Sequence, residues 1–217
     1  MYVEFLKAQY GKATVVFDGY EDGPTRKDNT HLRRTGGYIS TGVQFTETMI
    51  LQGKKKSFLA NNSDKQQLIF LLSEKLEAFG MKTFHANCDA NLLIVKTVVR
   101  YASTWTTILV GDDTDLWVLL CYYADMNSYP IYFTPRKKQK AKEATVWNIQ
   151  YTKSKLGESI CNNILFIHAV LGCNSTSRIY GLGKGMALRI FEQSEELRKS
   201  AAVFCRKDAT KEDVVDA

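Results

Sequence analysis

The chain has 217 residues, 45% of them hydrophobic, which is enough to fill the core of one sizeable domain, or of one domain with an appendage. Twenty-nine lysines and arginines against 23 acidic residues leave a formal charge of +6, a balance that permits a polyanionic partner without requiring one. A membrane span is excluded: the longest apolar stretch, ILFIHAVLG from Ile164, is far shorter than the ~20 residues that cross a bilayer, and it carries His168.

The amino terminus, MYVEFLKAQYGK, lacks the apolar segment and small-residue cleavage site of a secretory signal and reads as an amphipathic helix. Ala13 to Phe17 is a β-branched strand ending at Asp18-Gly19, followed by a turn at Gly23-Pro24. Asp28 or Asn29 can cap a short basic helix, THLRR. From Thr35 to Phe58 periodicity is weak, which suggests a loop or short hairpin. Asn62-Ser63-Asp64 opens a helix with Leu68, Leu71, Leu72, Leu76 and Phe79 on one face, stopped by Gly80. A strand over Lys82 to His85 leads to Asp89 at the head of a second helix, whose stripe is Leu93, Ile94, Thr97, Val98 and Tyr101. The apolar run Thr107 to Val110 is a buried-type strand. Asp113 and Asp115 open the next helix, with Leu116, Leu119, Leu120 and Tyr123 facing inward, before a strand from Pro130 to Phe133.

Repeated strand-then-helix units predict an α/β fold with a central, mostly parallel sheet flanked by helices. The basic tract Arg136 to Lys142 is a solvated loop ahead of a short strand, Thr145 to Ile149. The rest is helical. Residues 1–170 therefore form the α/β domain, residues 171–200 a helical hairpin punctuated by glycines, and residues 207–217 a disordered tail. The five cysteines, Cys88, Cys121, Cys161, Cys173 and Cys205, are odd in number and show no zinc-ligand spacing. They are read as reduced thiols of an intracellular protein with no disulfide-linked partner.

Acids stand at the ends of several apolar runs: Asp18 after ATVVF, Asp89 after TFHANC, and Asp113 with Asp115 after TTILVG. In an open α/β sheet, ligands gather beyond the carboxyl ends of the strands, so acids leaving different strands can converge there. A convergent carboxylate set suits Mg²⁺ or Mn²⁺. Helix capping explains the same residues equally well, because Asp at a helix start accepts backbone N–H groups and opposes the helix dipole. Asn91, two residues after Asp89, can ligate through its amide oxygen but brings no charge. Arg26, Lys27, Arg33 and Arg34 after Asp18 suit bidentate phosphate contacts, or form a solvated basic helix. Gly181, Gly183, Lys184 and Gly185 can present amides to a phosphate at a helix start, or simply connect two helices. His31, His85 and His168 show no ligand spacing, and Trp105, Trp117 and Trp147 suit a core.

VFDG at Val16 to Gly19 with following basic residues, the paired places Asp89/Asn91 and Asp113/Asp115, and the run LGCNSTSRIYGLGKG occur in one order over about Ala13 to Phe191. In that order the chain resembles the flap endonuclease group of the PIN-like nuclease superfamily. It is most similar to a group of uncharacterised animal PIN-like proteins that share VVFDGY with THLRR, DTDLWVLLCYYAD, and HAVLGC with TSRIYGLGKG. The resemblance implies a two-metal Mg²⁺ or Mn²⁺ site that hydrolyses phosphodiesters in structured DNA or RNA. Asp18, Asp89, Asp113 and Asp115 would be the catalytic metal ligands, with Asn91 and Asn174 in places where the family has acids. Arg26, Arg33 and Arg34 would hold the scissile phosphate, and Gly181, Gly183, Lys184 and Gly185 would grip the duplex backbone. The family also has an earlier acid-bearing strand, so the chain is expected to lack its first strand, as a fragment or a site short of one acid. The alternatives to an impaired nuclease are an inactive module that binds nucleic acid or protein, and a gene fragment.

Overall fold

The computed structural model describes residues 2–19, 45–46, 49, 55–59, 61–136, 145–173, 176, 181, 183–206 and 208–216. The expected turn at Gly23-Pro24, the helix THLRR and most of the Thr35–Phe58 stretch lie outside these residues. The chain divides into two compact units, Met1–Leu93 and Ile94–Ala217.

The first unit contains helix α1 (Tyr2–Tyr10), strand β1 (Thr14–Phe17), a one-turn helix α2 (Lys55–Phe58), helix α3 (Asn62–Ala78) and strand β2 (Lys82–His85). The sequence suggests a loop or hairpin where α2 stands. Asn61 caps α3, its Oδ1 accepting the Asp64 N–H at 3.1 Å, one residue before the cap region the sequence suggests. The buried line of α3 runs Ile69, Ser73, Leu76, rotated from the leucine stripe; Phe79, assigned inward from sequence, is 44% exposed. Ser73 can occupy a core position because its hydroxyl bonds Thr83 Oγ1 at 2.6 Å and His85 Nε2 at 2.9 Å. Strands β1 and β2 are parallel, in register from Thr14↔Lys82 to Phe17↔His85. Val3, Leu76 and Met81 form the core beside them, with Leu6, Val15, Phe17 and Leu72 packed against it.

Helix α4 (Asn91–Ala102) leads from the first unit into the second, which continues with β3 (Thr107–Val110), α5 (Thr114–Tyr123), β4 (Ile131–Thr134) and β5 (Trp147–Asn148). β3 and β4 are parallel, in register from Thr107↔Ile131 to Val110↔Thr134, and β5 closes antiparallel on β4. Their core gathers Val95, Val98 and Ala102 of α4, Leu109 of β3, Leu116 and Leu120 of α5, and Ile131 and Phe133 of β4. Tyr123, expected inward, is 40% exposed, and Cys121 is buried in its place.

The carboxyl-terminal part is helical: α6 (Ile149–Leu156), α7 (Glu158–Val170), α8 (Lys184–Gln193), α9 (Glu195–Cys205) and α10 (Lys211–Asp216). Ile160, Ile167, Leu171, Ala187, Phe191 and Ala201 join α7, α8 and α9 in a second core. Where composition suggests a disordered end, α10 starts on a reciprocal cap: Thr210 Oγ1 accepts the Asp213 N–H at 3.1 Å and Asp213 Oδ2 accepts the Thr210 N–H at 2.9 Å. These bonds to Thr210 hold the Asp213 carboxyl below its ordinary range.

The fold is thus mixed α/β, with small sheets that include parallel pairs. Its described strands pair as two ladders, β1–β2 and β3–β4–β5. Among the described residues no helix is long and apolar enough to cross a membrane, and all five cysteines are thiols.

Candidate functional site

In the first unit, the parallel pairing of β1 and β2 puts the residues that follow both strands at the same end of the ladder. Three hydrogen bonds then draw the segment after β2 along the exit of β1: Ala86 N–H to Phe17 O at 3.0 Å, Gly19 N–H to Cys88 O at 2.8 Å, and Ala90 N–H to Asp18 Oδ1 at 2.9 Å. Asp18 is thereby held against Ala90, the residue between Asp89 and Asn91. Asp89 itself accepts the Asn91 N–H on Oδ1 at 2.8 Å at the start of α4. Gly19 permits this close approach, since a Cβ there would lie 2.0 Å from Ala86 O and 2.1 Å from Asn87 O.

At the other junction, within the second unit, Asp113 caps α5, with Oδ1 accepting the Asp115 N–H at 3.0 Å. Its neighbour Asp112 instead receives Arg136, through the backbone N–H at 2.9 Å and Nε at 2.7 Å. Asp115 meets a residue that the sequence reading set aside: His168 Nε2 lies 2.8 Å from its Oδ1, with the two side chains only 16% and 23% exposed, respectively. The contact belongs to a seam between two helices. On α5, Asp115, Val118 and Cys121 recur every third residue; on α7, His168, Ile164 and Cys161 run antiparallel to them. Val118, Cys121 and Ile164 pack together. At the far end, burial pushes the Cys121 thiol up to about 12, reinforced by nearby Cys161 and opposed by Lys153. Burial likewise raises Cys161.

The glycine segment meets α8 at its start. Gly183 is the N-cap residue, with no side-chain cap bond, and Lys184 and Gly185 begin the helix. Gly181 takes a φ of +81°, which accounts for glycine there. Among the described residues, an added Cβ at Gly183 or Gly185 would meet nothing within 4 Å. Arg26, Arg33, Arg34 and Asn174 lie outside the described residues, as does the side chain of Lys184.

As a donor set, Asp18, Asp89, Asp113 and Asp115 offer hard carboxylate oxygens, each side chain with one oxygen oriented by an N–H group. That chemistry fits a Mg²⁺ or Mn²⁺ ion. Among the described residues, however, no group of three or more His, Cys, Asp or Glu is gathered as a metal would require. A second polar cluster also escaped the sequence reading. Ser73 links Thr83 to His85, Thr83 in turn donates to Glu77 Oε1, and the His85 ring lies between Phe17 and Phe70 at 5.4 and 5.5 Å. Comparison with protein-family models gives no match, and comparison with curated proteins gives none.

Proposed function

We propose that the chain is a divalent-metal-dependent nuclease of the PIN-like, flap endonuclease type, acting on phosphodiesters in structured DNA or RNA, with a site weakened by asparagines at 91 and 174. The observation that carries this reading is the repeated junction. Twice, a strand of a parallel pair is followed by an Asp whose Oδ1 accepts the N–H two residues on, at the start of a helix: Asp89 before α4 and Asp113 before α5. Asp18 is tied into the first junction, and Asp115 lies in the first turn at the second. Such junctions at the carboxyl ends of parallel strands are where α/β folds bind ligands.

Asp18, Asp89, Asp113 and Asp115 would hold the ions. Bound Mg²⁺ or Mn²⁺ supplies an activated water and stabilises the leaving oxygen. The chain's own contribution is orientation: each of these side chains has one carboxylate oxygen held by a hydrogen bond. Arg26, Arg33 and Arg34 would hold phosphate oxygens through bidentate contacts. Gly183 and Gly185, where an added Cβ would meet nothing within 4 Å among the described residues, suit close approach of a nucleic-acid backbone to the first amides of α8.

The test is cleavage of flap and hairpin substrates by the whole chain with Mn²⁺, with Asp113→Asn as control. Metal-dependent cleavage lost in that variant supports the reading; activity no greater than the control refutes it. Asn91 favours a second reading, an inactive module that binds nucleic acid, because it puts a neutral amide beside Asp89. That module would bind DNA or RNA in a salt-sensitive way without cleaving it. Asn91→Asp combined with Asn174→Asp separates the two, since regained cleavage marks a weakened enzyme.

A further inference from the structure

We propose that His168 is a positioning residue for the acidic site, its ring N–H fixing the Asp115 carboxylate in the orientation a divalent cation requires. The inference rests on the nuclease reading and assigns a role to a residue that reading leaves unused. It begins with the 2.8 Å contact between His168 Nε2 and Asp115 Oδ1. An ionised carboxylate only accepts hydrogen bonds, so the ring nitrogen donates, and the tautomer is fixed with it.

Asp18, Asp89 and Asp113 each accept a backbone N–H, from Ala90, Asn91 and Asp115 respectively. Asp115 lies one step inside α5, where Asp113 already caps the turn, and its donor comes from a different helix. Both helices are pinned. Leu116 and Leu120 bind α5 to the sheet core, Val118 and Cys121 bind it to α7, and Ile167 and Leu171 bind α7 to α8 and α9. Neither end of the contact can drift far, so the hydrogen bond holds one oxygen of the carboxylate, Oδ1, in place.

Folding alone does not select histidine at this place. His168 stands on a helix whose buried positions are Ile160, Cys161, Ile164 and Ile167, and an apolar side chain at 168 would continue the same seam. Replacing both members of a buried ionic pair with apolar groups is often neutral or stabilising, so packing alone does not call for the pair, whereas removing one member leaves the other uncompensated and shows in the melting curve. What an apolar residue cannot do is orient Asp115. Hydrogen bonds behind a ligating group typically govern metal affinity by 10–100-fold.

The experiment is calorimetric titration of Mn²⁺ into the full chain, paired with the Mn²⁺ dependence of flap cleavage, for wild type, His168→Leu, His168→Met, His168→Gln and Asp115→Asn. A melting curve on each variant verifies the fold. The two apolar replacements should weaken Mn²⁺ binding by about tenfold or more, and glutamine, which keeps an N–H donor, should recover most of it. The cleavage rate at saturating Mn²⁺ should change far less than the Mn²⁺ concentration needed to reach it. If the Leu and Met variants bind Mn²⁺ like wild type while Asp115→Asn binds more weakly, the positioning role is wrong and the nuclease reading stands. If wild type and Asp115→Asn bind Mn²⁺ alike and neither cleaves, the nuclease reading falls and this inference with it.

Discussion

Gly19→Ala tests the geometry that brings Asp18 to the start of α4. The new Cβ would stand 2.0 Å from Ala86 O, 2.1 Å from Asn87 O and 2.4 Å from Asn87 C, where ordinary contact begins near 3.4 Å. All three are backbone atoms, so no side-chain rotation relieves the overlap, and the 86–88 segment must retreat by roughly 1 Å or more. That movement opposes the Gly19–Cys88, Ala86–Phe17 and Ala90–Asp18 hydrogen bonds, now 2.8 to 3.0 Å long. Overpacking costs about 1–3 kcal/mol and each lost hydrogen bond about 1 kcal/mol net, so with two of the three bonds lost the substitution should destabilise by about 3–5 kcal/mol. For a chain of this size that lowers the melting temperature by about 10 °C.

The assay is urea unfolding followed by far-ultraviolet circular dichroism. Tryptophan emission is the wrong signal, since Trp105, Trp117 and Trp147 all lie in the second unit and Gly19 lies in the first. Hydrogen exchange at the Ala86 and Ala90 amides localises the effect. Gly80→Ala is the comparator: at φ +79° with no atom within 4 Å, it isolates backbone strain, about 1–2 kcal/mol. A Gly19→Ala protein within about 0.5 kcal/mol of wild type, its Ala86 and Ala90 amides still protected, would refute the close approach.

Gly111→Ala should cost less, about 1 kcal/mol, because its Cβ would meet the end of a side chain, Leu116 Cδ1 at 2.7 Å, which can rotate; paired urea midpoints check the ranking. Asp113→Ala should lose about 1 kcal/mol with the α5 cap, whereas Asp113→Asn keeps an acceptor and should melt near wild type, which suits it as a cleavage control. Alkaline stability should depend on Cys121. Its folded value is raised from 9.0 to about 12, so the neutral thiol's contribution is complete below pH 9.0 and is lost as pH rises toward 12. Between those limits wild type should lose about 1.4 kcal/mol per pH unit more than Cys121→Val, measured as the difference in urea midpoints.

Strand β3 was legible in the sequence to the residue, because an apolar run between turn signals has few other places to go. The face of α3 was legible in part: of Leu68, Leu71, Leu72, Leu76 and Phe79, Leu76 is buried and Leu72 packs beside it, while Phe79 is exposed. Ser73 takes a buried position through two hydrogen bonds to β2, and hydropathy carries no information about such pairing. The acids at the strand ends were legible as capping residues and as cation ligands; Asp113 is the cap of α5, and Asp89 stands one residue before the cap position of α4, its Oδ1 accepting the Asn91 N–H. His168 was not, since its partner lies 53 residues away. The available signal was subtler: a histidine four residues after Ile164 and seven after Cys161 continues the buried stripe of an apolar helix, where a polar ring needs a partner.

That difference sets Asp115 apart from the acids at the two junctions. A helix start and a cation ask the same thing of a carboxylate, an anionic oxygen fixed at the end of a strand, so a cap by itself cannot separate structure from chemistry. Asp113 is accounted for by the amide it binds, and Asp89 by the turn that opens α4. Asp115 is placed differently. Ser, Thr or Glu would serve α5 at that first-turn position, and the dipole alone would not call for a nitrogen donor from α7. A histidine on the seam that Ile164 and Cys161 continue holds one carboxylate oxygen in place where an apolar side chain would extend the packing. An arrangement that favours orientation over packing is expected where a carboxylate has a ligand to meet. The Asp115–His168 pair is therefore a place to separate the two readings: a weakened nuclease would use the fixed oxygen to bind Mn²⁺, and an inactive module would bind Mn²⁺ no better than its Asp115→Asn variant.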